Sequence, residues 1–181
     1  MNESIFFDQC VPKKFKSASL EGCAELFPER ANFGRKWASN PISIFIHGGY
    51  GTGKTYFCFA MIRELFKVSP YIFWPRYFTS DDLDSTLLKS SKSDEGDGYE
   101  LKNIASQDIL FIDDLGRESK SERLKRQYFG IINRRYNEEK ITILTSNFTL
   151  DQLGDLLDGA ISSRIQEWQN LAFKCPDNRS K

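Results

Sequence analysis

The chain has 181 residues, 40% of them hydrophobic and 15 of them Phe, which is enough to bury the core of about one domain. It carries 25 basic and 25 acidic residues, a balance that excludes a protein drawn to nucleic acid by its overall charge. Four cysteines without a C-x-x-C pair disfavour a zinc site or a disulfide framework and favour reduced, mostly buried thiols. The N-terminus lacks an apolar signal segment, and no apolar run approaches about 18 residues, so we expect a cytoplasmic protein without membrane contact.

The first 40 residues are predicted to form an N-terminal arm and a helical lead-in to a core of residues 41–181. We expect residues 1–14 to be a loosely held arm. Apolar and small side chains at helical spacing over residues 20–39 predict helical segments that break near Pro28. Asn40 and Pro41 then lead into an apolar run at residues 42–46, the first predicted strand.

The segment that follows this strand has the sequence GGYGTGKT and fits the pattern G-x-x-x-x-G-K-[ST]. A strand that ends in a glycine-rich turn and opens a helix leaves several backbone N–H groups around one concavity, which binds phosphate. Lys54 can reach the β- and γ-phosphates of a nucleotide, and the Thr55 hydroxyl can ligate Mg²⁺. A glycine-rich loop without this role is the weaker alternative. The predicted phosphate-binding residues are Gly48, Gly49, Tyr50, Gly51, Thr52, Gly53, Lys54, Thr55 and Tyr56.

Apolar periodicity and the Pro and cap signals predict the elements after the phosphate loop. They are a helix at residues 55–68, a strand at 71–74 stopped by Pro75, a helix at 81–89, a mobile polar loop at 90–98 and a short helix at 99–105.

Two aspartates end the next apolar strand, at residues 109–112. Four apolar residues in a row suit a strand buried on both faces of a parallel sheet, and ligands bind at the carboxyl ends of such strands. Asp113 is predicted to hold hydrated Mg²⁺, and Asp114 to polarise the attacking water. Taken alone, an Asp-Asp pair after a strand is more often a turn or a helix cap, but the phosphate loop reverses this preference.

A third apolar strand, at residues 141–144, is followed by Thr145-Ser146-Asn147. Asn147 is predicted to orient the lytic water or to contact the γ-phosphate, with a turn or cap residue as the alternative. About 50 residues separate Thr55 from Ile109, enough for a helix, another strand and a further helix, so we expect an additional strand between the two motif strands.

The remaining predicted elements are helices at residues 121–137 and 150–157 and a strand at 171–173. Local groups could contact single-stranded DNA, with a solvated helix face and a packed strand end as the favoured alternatives. The two candidate sets are Arg123, Lys125, Arg126, Arg134 and Arg135 on one helix, and Trp74, Arg76, Tyr77 and Phe78 near one strand. His47 is expected to be a packed or hydrogen-bonded strand residue.

Five segments together resemble the DnaC/DnaI-type helicase loaders and their IstB-like relatives, which are AAA+ ATPases. They are VPKKFKSASLEG at residues 11–22, the phosphate loop, YELKNIASQDILFIDDLG at 99–116, FGIINRRYNEEKITILTSN at 129–147 and SSRI at 162–165. The phosphate loop alone is shared by many unrelated proteins, but this order of motifs is far more specific. The resemblance covers nearly the whole chain.

The resemblance implies an α/β fold, a RecA-like three-layer sandwich with a mostly parallel sheet and helices on both faces. It also implies ATP as the ligand and a homo-oligomer in which Arg164 acts in trans, as an arginine finger that completes the neighbouring subunit's site. A surface or helix-end cation is the alternative for Arg164. Phe15 is expected to lie near the adenine, with core packing as the alternative.

The chain departs from the family pattern in four places. Ala160 stands where the family usually has another arginine, four residues before the finger, and Asp114 is shorter than the Glu of many AAA+ proteins. From the short stretch after Arg164 we expect no C-terminal helical lid. From the start of the chain close to the core we expect no separate N-terminal domain of the kind by which several loaders bind their helicase.

The resemblance favours an ATP-hydrolysing AAA+ protein that loads or remodels a replicative DNA helicase, with weak activity alone and stimulation by assembly or single-stranded DNA. An IstB-like transposition helper shares the same core and remains an alternative. A P-loop phosphotransferase acting on a small acceptor, and an ATP-gated binding module with negligible turnover, are alternatives from other classes.

Overall fold

The computed structural model of the chain describes residues 3–69, 75–90, 97–116, 121–157 and 159–174. The strands are β1 (Ile44–His47), β2 (Pro75–Thr79), β3 (Ile109–Asp113), β4 (Ile141–Ser146) and β5 (Gln169–Ala172). The helices are α1 (Glu3–Gln9), α2 (Leu20–Ala24), α3 (Pro28–Ser39), α4 (Lys54–Val68), α5 (Ser80–Ser90), α6 (Asp97–Ser106), α7 (Glu122–Asn137), α8 (Leu150–Leu156) and α9 (Gly159–Gln166), with a 3-10 turn at Lys13–Phe15.

The five described strands form one parallel sheet in the order β2-β3-β4-β1-β5. From β1 the chain crosses to β2 at the edge, and β3 and β4 then fill the space between them. A strand therefore does separate the two motif strands, as predicted, but it is β4 and not the strand encoded in the interval between them. This arrangement places the carboxyl ends of β1, β4 and β3 side by side, where open parallel sheets bind ligands.

Helices cover both faces of the sheet because the buried strands are apolar on both sides. In β1, Ile44 and Ile46 pack into a cluster with α3, α4 and the N-terminal segment, whereas Phe45 packs into a second cluster with α5, α7 and α9. The same alternation divides β3, with Phe111 on the first face and Leu110 on the second. The α/β sandwich predicted from sequence is confirmed.

The N-terminal segment is not the loosely held arm that we predicted. Phe6 and Phe7 of α1 are 0% and 4% exposed and belong to the same core cluster as α4. Arg63 of α4 ties the segment down, because its guanidinium lies 4.0 Å from the Phe7 ring centroid and donates to the Lys16 carbonyl oxygen at 2.6 Å. Buried aromatic rings thus hold in place a segment for which the sequence pattern predicted no helix.

Most predicted helices are confirmed to within two residues at each end. The strand near Pro75 differs, because Pro75 is the first described residue of β2, which continues to Thr79. The predicted strand residues 71–74 lie outside the described residues. Proline lacks a backbone N–H and is tolerated as the first residue of an edge strand. The two ends of the predicted loop at 90–98 are helical, since α5 includes Ser90 and α6 begins at Asp97; residues 91–96 lie outside the described residues.

Two expectations from composition can be compared with the described residues. Cys10, Cys23 and Cys58 are free thiols, as predicted, and burial raises the pKa of Cys23 to about 11. A thiol with such a pKa stays protonated and unreactive near neutral pH. None of the helices in the described ranges combines the length and apolar character that a membrane crossing requires.

Arg135 is a structural residue, and the hypothesis that it contacts nucleic acid is wrong. Its side chain is 0% exposed and donates to the carbonyl oxygens of Ala105, Gln107 and Ile141 at 2.8, 2.7 and 2.5 Å and to the Thr142 hydroxyl at 2.9 Å. Burial lowers the pKa of Arg135 to about 10, which still leaves it charged. One guanidinium therefore joins α7 to the end of α6 and the starts of β3 and β4.

We expect Arg135→Ala to lower the free energy of unfolding by about 3 kcal/mol, because it removes the donors of four buried or partly buried acceptors. The matched control is Arg134→Ala, since Arg134 pairs with Glu138 near the surface at 2.8 Å and its loss should change stability by less than about 1 kcal/mol. Urea denaturation of both variants measures the difference. Equal, small losses would contradict a structural role for Arg135.

Candidate active site

The phosphate loop connects β1 to α4 through a backbone that requires glycine. Gly48, Gly51 and Gly53 have φ angles of 145°, 70° and 87°. A Cβ on Gly48 would lie 2.2 Å from the carbonyl oxygen of Phe173, so a side chain is excluded there by contact as well as by conformation. The loop is held against the end of β5, and α4 begins at Lys54 as the pattern predicts.

Lys54 joins the loop to the end of β4. Its side chain is 7% exposed, and Nζ donates to the carbonyl oxygens of Gly48 and Gly49 at 2.7 and 2.9 Å and to Asn147 Oδ1 at 2.8 Å. The ammonium group thus lies inside the curve of the loop. A polyphosphate entering this curve would meet a cation that loop carbonyls already hold in place.

Asp113 is buried among hydroxyl groups from three other segments. Thr55 Oγ1 donates to both carboxylate oxygens, at 2.9 and 3.1 Å, and Thr145 Oγ1 donates to Oδ1 at 2.5 Å. The Tyr77 hydroxyl lies 3.4 Å from Oδ2. The two residues predicted to hold Mg²⁺, Thr55 and Asp113, are therefore in direct contact.

The environment of Asp113 suits a bound cation. Its side chain is 8% exposed, and burial raises the pKa of Asp113 despite the hydroxyls of Thr145 and Thr55, which favour the charged form. A cation would offset the cost of burying this charge. No cluster of three or more His, Cys, Asp or Glu that could hold a metal ion occurs among the described residues. Mg²⁺ commonly uses one or two carboxylates together with water and substrate phosphate.

Asp114 and Asn147 meet beside this carboxylate. Asp114 adopts a φ of 60°, and its N–H donates to Thr145 Oγ1 at 2.9 Å, which turns its side chain away from the strand direction. Asn147 Nδ2 donates to Asp114 Oδ1, while Asn147 Oδ1 accepts from Lys54. One hydrogen-bonded chain therefore links the phosphate loop to both predicted acids.

The sequence pattern of a known family matches most of this chain. The pattern of the bacterial DnaA ATPase domain matches residues 20–170. The chain belongs to this family. The chromosomal replication initiator protein DnaA of Caldanaerobacter subterraneus subsp. tengcongensis is 30% identical over 182 residues, a match that covers 100% of this chain and 39% of that protein. The chain thus spans about two fifths of the length of this curated relative.

Solved structures share the fold of this DnaA-type ATPase domain. The DnaC helicase loader aligns with a TM-score of 0.76 at 24% identity, over 90% of this chain and 100% of that one. The replication initiator DnaA bound to AMPPCP and single-stranded DNA aligns with a TM-score of 0.75 at 24% identity, over 91% and 51% of the two chains. The fold predicted from the resemblance to AAA+ helicase loaders is confirmed.

The DnaA-type domain holds Arg164 apart from this site. Arg164 lies on α9, where Nε donates to Asn133 Oδ1 at 2.9 Å and Nη1 donates to the Ala160 carbonyl at 2.8 Å. Its guanidinium also lies 4.9 Å from the ring centroid of Phe129. The contacts of Arg164 thus run to α7 and its own helix.

Of the other residues predicted to bind phosphate or DNA, some lie at the surface and some in the core. Tyr50 is 59% exposed, whereas the Tyr56 hydroxyl accepts from the Ser19 N–H at 3.3 Å, so Tyr56 points to the N-terminal segment. Phe78 is 6% exposed, and the Tyr77 ring packs on Phe111 with centroids 5.1 Å apart. Tyr77 and Phe78 are therefore packed residues of the strand end, the alternative that we favoured over contact with single-stranded DNA. Trp74 lies outside the described residues.

The basic residues on α7 other than Arg135 are at least partly exposed, so their contact with single-stranded DNA stays a prediction. Lys125 pairs with Glu122 at 2.9 Å, and Arg123 and Arg126 are exposed. His47 packs on the ring of Phe45, with centroids 5.4 Å apart, which confirms a packed strand residue.

Phe15 lies on the acid side of the phosphate loop. It packs on Phe59, with ring centroids 5.4 Å apart, and lines a cleft of about 330 Å³ together with Tyr77, Asp113 and Asp114. The prediction that Phe15 lies near the adenine gains no support from this position, because the acids mark the end where the γ-phosphate is expected.

Sequence reasoning missed the contacts of Thr145 and Tyr77 with the Asp113 carboxylate. Thr145 lies within the Thr-Ser-Asn motif and could have been included with Asn147. Tyr77 gave no comparable signal, because its contact with Asp113 depends on β2 pairing with β3.

We expect Asp113→Asn to raise the melting temperature of the nucleotide-free protein near pH 7 by about 2–4 °C, roughly 1 kcal/mol for a domain of this size. The amide removes a buried charge. The gain should be full at neutral pH and should vanish as the pH falls through the raised pKa of folded Asp113 toward about 4, the ordinary value for Asp. Thermal unfolding across this pH range measures it, with the exposed Asp155→Asn as the control. A loss of stability at pH 7 would contradict the argument.

Proposed function

We propose that this protein binds and hydrolyses ATP with Mg²⁺ as an AAA+ ATPase of DNA replication initiation, and that it loads or remodels a replicative DNA helicase. The observation that carries the ATPase proposal is the hydrogen-bonded chain from Lys54 through Asn147 to Asp114, beside the contact of Thr55 with Asp113. Membership of the DnaA ATPase-domain family supports the role in replication initiation.

Each group in this chain has a defined task. Lys54 and the loop N–H groups would bind the β- and γ-phosphates, since an ammonium group held at the loop can exchange carbonyl partners for phosphate oxygens. Thr55 and Asp113 would hold Mg²⁺, which when bound neutralises charge that develops on the phosphate oxygens. Asp114 would accept a proton from the attacking water, and Asn147 would fix the Asp114 carboxylate and the water in position.

The helicase-loading part rests on likeness in fold and on the motifs in the sequence. The DnaC loader shares the fold over nearly its whole length. Contact with single-stranded DNA is part of the proposal, because a DnaA structure of the same fold contains it. Arg123 and Arg126 are the exposed basic residues of α7 that such a contact could use.

We expect Asp114→Asn to retain ATP binding and to lose hydrolysis by at least about 100-fold, because the amide keeps the shape but cannot accept a proton. Asn147 can still pair with the amide oxygen. Calorimetry with ATP and Mg²⁺, together with phosphate release, measures the two properties. The matched variant is Asp113→Asn, for which a higher Mg²⁺ requirement should appear first. Normal turnover by both variants would rule out the proposed roles of these acids.

Arg164 is proposed to act on the site of a neighbouring subunit. Hydrolysis by the parent should rise more than linearly with protein concentration, or when an oligo-dT strand or a bacterial replicative helicase aligns subunits. Arg164→Ala should remove this rise and leave ATP affinity nearly unchanged, because the cation acts mainly on transition-state charge.

Mixing Arg164→Ala with Lys54→Ala tests the arrangement directly. Lys54→Ala should not bind ATP tightly but still supplies Arg164, so the mixture should recover activity that neither variant has alone. No recovery, together with turnover independent of concentration in the parent, would favour a monomeric phosphotransferase. Negligible turnover under every condition would favour an ATP-gated binding module, and activity stimulated by DNA but not by a helicase would favour an IstB-like helper.

A further inference from the structure

One buried hydroxyl on β4 lies between the two predicted acids. Thr145 is 0% exposed, and its Oγ1 donates to Asp113 Oδ1 at 2.5 Å while it accepts from the Asp114 N–H at 2.9 Å. A backbone N–H can only donate, so the single hydroxyl proton is directed at the Asp113 carboxylate. The direction of both hydrogen bonds is therefore fixed, and each one ends on a different acid.

The contact with Asp114 holds a backbone conformation that residues with a side chain seldom adopt. Asp114 has a φ of 60°, in the left-handed region. The pairing of β3 with β4 ends where Ile112 lies opposite Leu144, so Asp114 lies just beyond it. There the Thr145 hydroxyl accepts from the Asp114 N–H, and the Thr145 carbonyl accepts from the Leu115 N–H at 2.8 Å. Thr145 thus fixes the turn by which the chain leaves β3.

The contact with Asp113 fixes the rotation of the carboxylate that is proposed to hold Mg²⁺. The Tyr77 hydroxyl lies 3.4 Å from Oδ2, and Thr55 Oγ1 donates to both oxygens at 2.9 and 3.1 Å, so Thr145 makes the shortest of these contacts. Thr55 is itself a proposed ligand, and its hydroxyl would turn to the cation. Thr145 would then remain to orient the carboxylate, and losing such an outer partner of a metal ligand commonly costs about 10–100-fold in metal affinity or activity.

We propose that Thr145 is the positioning residue for both acids: its hydroxyl orients Asp113 for Mg²⁺ and holds Asp114 in the turn that directs its carboxylate to the attacking water. Asn147, two residues later, donates to that same Asp114 carboxylate. This inference rests on the proposed hydrolysis of ATP with Mg²⁺ and adds a link between metal binding and the position of the base. Removing one hydroxyl should impair both.

Two substitutions separate the hydroxyl from the rest of the side chain. Thr145→Val removes the hydroxyl and keeps the shape, whereas Thr145→Ser keeps the hydroxyl. AMPPCP, which is not hydrolysed, is titrated by calorimetry with Mg²⁺ and with EDTA, and the ratio of the two affinities reports metal binding. We expect Thr145→Val to reduce this ratio by about tenfold and to leave the affinity in EDTA within about twofold. Thr145→Ser should retain the ratio of the parent.

Steady-state hydrolysis, measured where the parent turns over, gives the second readout. At saturating Mg²⁺, Thr145→Val should lower kcat by at least about tenfold and leave KM for ATP within about threefold, because a displaced Asp114 affects the reaction and not nucleotide binding. Thr145→Ser should restore kcat.

The matched control is Thr142→Val, the same change at another fully buried threonine of β4. Thr142 Oγ1 accepts from Arg135 Nε at 2.9 Å near the start of the strand. This variant should lose stability without changing the Mg²⁺ ratio or kcat.

Each other outcome has a distinct meaning. If Thr145→Val loses only stability, as Thr142→Val does, or if AMPPCP affinity in EDTA falls in the same proportion, the hydroxyl has a structural role alone and the proposal is wrong. A change in the Mg²⁺ ratio or in kcat alone would overturn the link between the acids, and equal impairment of Thr145→Ser would overturn the role of the hydroxyl. A parent that binds no AMPPCP or hydrolyses no ATP would instead overturn the proposed function. If Thr145→Val does not fold, Thr145→Ala decides by the same comparisons, because it places a smaller apolar group between the acids.

Discussion

The buried carboxylate of Asp113 is the constraint on which the arrangement of the site depends. A carboxylate that is 8% exposed must be compensated, and here the compensation comes from hydroxyls on α4, β4 and β2. Those three elements are far apart in sequence and are brought together only because β3 lies between β2 and β4. Three features therefore depend on one another: the position of Asp113, the start of α4 and the order of the strands.

The position of α4 also depends on the N-terminal segment. α4 carries Lys54 and Thr55 at its first turn, and its apolar face is covered by α3 and by the aromatic residues of α1. Small tilts of α4 would move the Thr55 hydroxyl away from Asp113. Packing of Phe6 and Phe7 and the contacts of Arg63 hold the later turns of the helix in place.

Local pattern was sufficient for the phosphate loop, the acid strand and most helices, because each depends on neighbouring residues and on a regular apolar spacing. It was insufficient where a role depends on strand order. Tyr77 touches Asp113 only because β2 pairs with β3, and the arginine pair on α7 is indistinguishable in sequence although Arg135 is buried and Arg134 is not. The prediction that Pro75 ends a strand was wrong for a similar reason, since proline is tolerated in a strand that lies at an edge of the sheet.

Arg30 and Arg164 differ in what their present contacts hold together. Arg30 already donates to the Thr52 carbonyl oxygen of the phosphate loop. Arg164 is instead bonded to Asn133 and the Ala160 carbonyl and stacks near Phe129, so reaching a neighbouring subunit would require it to exchange these contacts for new ones. That exchange has a free-energy cost which only an assembled interface can offset. Hydrolysis that depends on Arg164 of a neighbouring subunit would therefore require assembly, whereas the phosphate loop and Lys54 lie within one chain.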